Sequence, residues 1–183
     1  MNNIKNYAIL ICNLQTKTIN NLFYKDKVIF NINKLSHMKK YIPSIKFSII
    51  SEFVPEKFGH SHPSINRSNI DMIDKNNYNT NYSMVNNYLI HQLSKHNISN
   101  IILSGMETQW CIKNTAQELI DLDYVVHIQT DAIGNNLSDK DNIQHIVNFK
   151  NMNAQLTTTN ALIYNLAMND KNNNDNKNVN KLK

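Results

Sequence analysis

The feature that most constrains this chain is an uninterrupted apolar run, Tyr7-Ala8-Ile9-Leu10-Ile11-Cys12, that stops at Asn13. A strand wet on one side alternates apolar and polar residues. A continuous run instead needs cover on both faces, as in a parallel sheet sandwiched by helices. Similar short runs recur at 47–51, 100–104 and 125–129, with a shorter one at 155–158 and a weak, Asn-rich one within 70–82. Between them, apolar residues fall at helical spacing. Val28, Ile29, Ile32, Leu35 and Met38 mark a helix over 26–41, and Val85, Tyr88, Leu89 and Leu93 mark one over 83–95. Further helices are expected over 108–122, 138–150 and 160–167. Strands alternating with helices predict right-handed β-α-β units, and ligands then bind at the carboxyl ends of the strands. The expected fold is a three-layer α/β/α domain over residues 1–168, with a six-stranded, mostly parallel sheet.

The chain's 183 residues suffice for one such core. Gly and Pro number only three each, whereas Asn numbers 34. An Asn-rich composition places Asn at any tolerant position, so one Asn by itself says little. Residues 169–183 are almost entirely Asn, Lys and Asp, with too little apolar surface to order themselves, and are expected to form a disordered tail. This tail also carries part of the formal net charge of +5. The remaining Lys residues are scattered as on solvated helix faces, so nucleic acid is not the expected partner. Two cysteines make no disulfide framework, and no apolar run is long enough to span a bilayer. A cytoplasmic protein is expected, because a strand starting near Tyr7 leaves no room for the presequence that a mitochondrial location would call for.

The segment richest in chemistry is Ser104-Gly105-Met106-Glu107-Thr108-Gln109-Trp110-Cys111. Gly105 ends a strand, Thr108 follows three residues later, and Cys111 three after that, in the first turn of the next helix. Helix-start amides and the helix dipole favour a thiolate there. The same spacing also suits a small buried residue packing the helix on the sheet, and both readings stay open on spacing alone.

With its Gly, Thr and Cys in this order, the segment resembles the nucleophile motif of the isochorismatase-like cysteine hydrolases, which include nicotinamidases. It is most similar to their eukaryotic isochorismatase domain-containing branch, some of whose members are described as mitochondrial-associated ribonucleases. The segments 11–15, 51–59, 82–84 and 130–132 follow in the family's order. The resemblance implies a covalent mechanism: a Cys thiolate attacks an amide, imine or ester carbon, an Asp moves the proton, a Lys favours the thiolate and backbone amides hold the oxyanion. The nucleophile falls on Cys111, and the oxyanion amides on Glu107 and Cys111, beside an implied cis peptide near Met106–Glu107. The Asp position falls on Asn13 and the Lys position on Asn79, with Lys75 a possible substitute. Asn neither accepts a proton nor carries charge at neutral pH. The resemblance therefore implies a catalytically impaired protein or a pseudoenzyme. The alternatives are an active hydrolase of a small amide, imine or ester, and an RNA-processing role.

The resemblance further implies a homo-oligomer with a small-molecule ligand and no cofactor. His60-Ser61-His62 could supply two metal ligands, but Phe58 stands where a metal site of this family would place its Asp, so no metal is expected. Asp131 is expected to brace a strand-end loop, and His127 to be structural.

Overall fold

The computed structural model describes residues 5–68, 70–75, 82–136 and 139–180. Its six strands are β1 (Tyr7–Cys12), β2 (Ile45–Phe53), β3 (Asp71–Lys75), β4 (Asn100–Met106), β5 (Val125–Gly134) and β6 (Gln155–Thr157). They form one sheet in the order β3-β2-β1-β4-β5-β6, and every pairing is parallel. Six helices connect or cover them: α1 (Lys25–Met38), a single turn α2 (Pro55–Phe58), α3 (Asn87–Lys95), α4 (Lys113–Asp121), α5 (Asp139–Asn151) and α6 (Thr159–Asn180).

The packing of β1 explains its unbroken apolar run. Ala8, Leu10 and Cys12 enter one core with α3, α4 and α5, while Tyr7, Ile9 and Ile11 enter a second core with α1 and α6. All six residues are buried. The chain builds outward from β1 to β3, then returns to add β4, β5 and β6 on the other side. Its direction of travel reverses between β1 and β4, and this is where an open α/β sheet forms its binding crevice.

Several boundaries differ from the sequence reading. α3 starts at Asn87 because the Asn86 side chain caps it, accepting from the Leu89 amide at 2.9 Å. β5 continues beyond Gln129 to Gly134. The polar Thr130-Asp131 pair sits at an irregularity, after which Ile133 and Gly134 pair with Gly105 and Met106. α6 does not stop at Ala167. Asp170 in its fourth turn accepts from the Ser44 amide and hydroxyl, both at 3.0 Å, and the helical backbone runs to Asn180. No described helix is long and apolar enough to cross a membrane.

β1 and β4 come close together at Gly105, whose φ is +112°. A Cβ there would overlap the Cys12 backbone carbonyl and amide. Only glycine combines this conformation with that approach. Gly105→Ala is expected to lower the unfolding free energy by about 3 kcal/mol or more, from combined strain and overlap. An unchanged urea midpoint would show that the strands can part without cost.

Candidate functional site

Asn13 is the first residue past β1. It adopts a left-handed φ of 49°, a region Asn tolerates better than most residues, and its amide N–H binds the Ser51 carbonyl at 3.0 Å. Its side chain is thereby turned towards the start of the helix after β4. The Asn13 Nδ2 donates to Cys111 Sγ at 2.6 Å, and Ser51 Oγ donates to Asn13 Oδ1 at 2.9 Å. All three residues are buried. The serine hydroxyl orients the amide, and the amide in turn presents its donor to sulfur.

Cys111 is delivered by one wide, π-helical turn, Thr108–Ile112, that precedes α4. The Met106–Glu107 peptide is cis, as the resemblance implied. Thr108 is fully buried beneath the turn. A second anchor runs from the segment before α3, where the Met84 amide donates to Thr115 Oγ1 of α4 at 2.9 Å. This tie places the Tyr82 and Trp110 rings 6.0 Å apart beside Cys111.

These residues border a cavity of about 500 Å³ at the carboxyl end of the sheet. Asn13, Cys111 and Gln15 form its polar side, with Glu107 and Asn136 at the rim. Phe53, Phe58, Tyr82, Met106 and Trp110 form its apolar wall. Burial raises the Glu107 carboxyl pKa, against the lowering effect of the Asn136 amide and the Gln109 side chain. The volume suits a small organic ligand.

The Phe53–Phe58 wall is fastened to the sheet by two polar side chains. Gln15 Oε1 accepts from the Phe53 amide at 2.8 Å, while its Nε2 donates to the Phe53 carbonyl at 3.1 Å and to the Gly59 carbonyl. Glu52 accepts from the Ser61 amide and hydroxyl, each at 2.6 Å, and pairs with His60 Nδ1 at 2.8 Å. These bonds hold Val54, a β-branched residue, at a φ of 42°, where it is strained. Burial alone would raise the Glu52 pKa. The Ser61 hydroxyl and amide, together with His60, outweigh it and hold the carboxyl below its ordinary range.

The remaining sequence candidates divide. His60 is committed to Glu52 and His62 Nδ1 accepts from the Ser64 amide at 3.3 Å, so the described residues assemble no group of metal ligands there. Asp131 Oδ1 accepts from the Thr159 amide at 2.8 Å and hydroxyl at 2.9 Å, capping α6 away from the cavity. His127 Nε2 meets Asn100 Oδ1 at 3.1 Å, and burial, aided by the Lys5 charge, lowers its pKa to about 4. It stays neutral at physiological pH. Lys75 ends β3 opposite Phe53, and Asn79 lies outside the described residues.

Sequence reasoning named 51–59 as a motif without seeing that Ser51 orients Asn13 or that Phe53 and Phe58 make the wall. Asn136 had no sequence signal.

A sheet of this order, with a cysteine raised on the turn after a cis peptide at β4, places the molecule among the isochorismatase-like α/β proteins. Comparison with known proteins gives the same answer from sequence: residues 50–161 match the isochorismatase domain, and the chain belongs to that family. Isochorismatase family protein 1B of Dictyostelium discoideum is 27% identical over 167 residues, spanning 87% of this chain and 78% of that relative. Human isochorismatase domain-containing protein 2 is 25% identical and spans 87% of this chain and 75% of its own. The structure of MAR1 ribonuclease from Caenorhabditis elegans superposes with a TM-score of 0.79 at 29% identity, covering 90% of this chain and 82% of that one. An isochorismatase-like hydrolase from Alkaliphilus metalliredigens shares the fold at a TM-score of 0.74 and 14% identity, over 87% of this chain and 98% of that one.

Glu52→Gln is expected to cost about 2 kcal/mol at pH 7, as hydrogen bonds to a charged group are lost. Because the folded-state pKa lies below the ordinary value of 4.5, the stabilisation is present above that pH and disappears as pH falls through the lower folded value. Urea unfolding of both proteins from pH 7 to pH 3 checks this: the two curves converge in acid. A constant gap would exclude the carboxylate as its source.

Proposed function

We propose that this protein is an isochorismatase-fold binder of a small molecule whose hydrolytic turnover is impaired. In this reading Cys111 still reacts with an electrophilic carbon but the product is released slowly. The observation that carries it is the 2.6 Å contact from Asn13 Nδ2 to Cys111 Sγ. An amide N–H stabilises a thiolate by donating to it, yet it cannot take a proton from the thiol or from the water that must cleave a thioester. Attack by the thiolate, its proton having passed to solvent, is therefore supported, and deacylation is not. The oxyanion of either step would rest on the backbone amides of Glu107 and Cys111, at the turn that raises the sulfur. Loss of a general base costs about 10²–10⁴-fold.

The ribonuclease relatives share this fold, but RNA chemistry at this cavity is disfavoured. Its described lining includes a carboxylate and no Lys, Arg or His, the reverse of what a phosphodiester requires.

p-Nitrophenyl acetate provides the test, because its release of nitrophenolate separates acylation from turnover. The wild-type protein is expected to release about one equivalent in a burst, followed by a steady state at least ~10²-fold slower. Cys111→Ser should abolish the burst, and Asn13→Asp should raise the steady-state rate by an order of magnitude or more. Sustained wild-type turnover at the burst rate would sink the proposal.

A further inference from the structure

Given a ligand-binding cavity at Cys111, its wall narrows the ligand's chemistry. Four aromatic rings form a continuous arc. Phe58 stacks on Phe53 at 5.6 Å, Phe53 meets Tyr82 at 5.4 Å with planes 51° apart, and Tyr82 meets Trp110 at 6.0 Å with planes 48° apart. All four rings line the cavity, so a guest there meets aromatic surface. That surface carries negative electrostatic potential and attracts cations. The arc already holds one, since Lys57 Nζ lies 5.2 Å from the Phe58 ring centroid while Phe53 stacks on that same ring.

The charge of the lining points the same way. Among the described lining residues Glu107 is the one carboxylate, and none is Lys, Arg or His. The chain as a whole is positive by five charges, so this cavity opposes the sign of its own protein. A carboxylate beside an aromatic arc, with no Lys, Arg or His among the described lining residues, is a combination suited to an organic ammonium group.

We propose, resting on the ligand-pocket reading above, that the cavity takes a small organic monocation, with a quaternary or N-alkylated nitrogen seated against Phe53, Tyr82 and Trp110 and opposite Glu107. Burial raises the Glu107 pKa, and a bound cation lowers it. Binding is then coupled to proton release and weakens as pH falls and Glu107 protonates.

Trp110 is the chain's one tryptophan, so its emission reports the site directly. The full-length protein is titrated with choline and with its uncharged carbon isostere, 3,3-dimethyl-1-butanol. Protection of Cys111 from iodoacetamide, in a Cys12→Ser background, serves as a second readout that does not rely on tryptophan. Choline is expected to bind at least tenfold more tightly than the isostere. Glu107→Gln should shrink that preference to under threefold, and acidification should erode it in the wild-type protein, which guards against misfolding of the variant. Equal binding of the two probes would overturn the cation proposal while leaving the ligand pocket in place. Binding of neither would overturn it too, and the ester burst then decides independently whether Cys111 remains a working site.

Discussion

The close approach of β1 and β4 at Gly105 is the contact on which the rest of the site depends. Its missing side chain lets the Cys12 backbone pass where a Cβ would stand. Because β1 and β4 are also the strands between which the sheet reverses its order of construction, the residues just beyond them converge on one crevice. Asn13 leaves β1 in a left-handed turn and the Thr108–Ile112 turn leaves β4. With the two strand ends held together, an amide nitrogen and a sulfur separated by 98 positions in sequence come within 2.6 Å. Widening that seam would break the contact before disturbing either core.

The chemistry follows from which atom faces the sulfur. An acceptor there would draw the thiol proton away, whereas the donor found there stabilises charge on sulfur once it has formed. Ser51 supports this orientation, since its hydroxyl donates to the oxygen of the same amide while the nitrogen faces Cys111. In the proposed reading, this arrangement is what lets a covalent adduct form more readily than it is removed.

Much of the fold could be read from the sequence because helices and doubly covered strands leave different periods, and β1, β4 and β5 are among the clearest examples. The boundaries that differed were governed by contacts from elsewhere. Asn86 shifts the start of α3 by capping it, and β4 beyond Gly105 extends β5 past two polar residues. At the site, the positions of Cys111 and Asn13 were legible as motif, since each ends a strand or begins a helix. Their mutual contact was not, because hydrogen-bond direction depends on Ser51, whose role has no local signature. The aromatic arc was equally hidden. Phe53, Phe58, Tyr82 and Trp110 come from three separate segments and share no period.

The two sides of the cavity also differ mechanically. The Phe53–Phe58 side is riveted to the sheet through Gln15 and Glu52, and those bonds hold even a strained Val54 in place. On the opposite side Tyr82 and Trp110 are 43% and 55% exposed and meet each other through ring contact. The cavity therefore has one wall tied down by polar bonds and another left half open to solvent. Any ligand held there would be framed on one side by a braced edge and on the other by rings that face water.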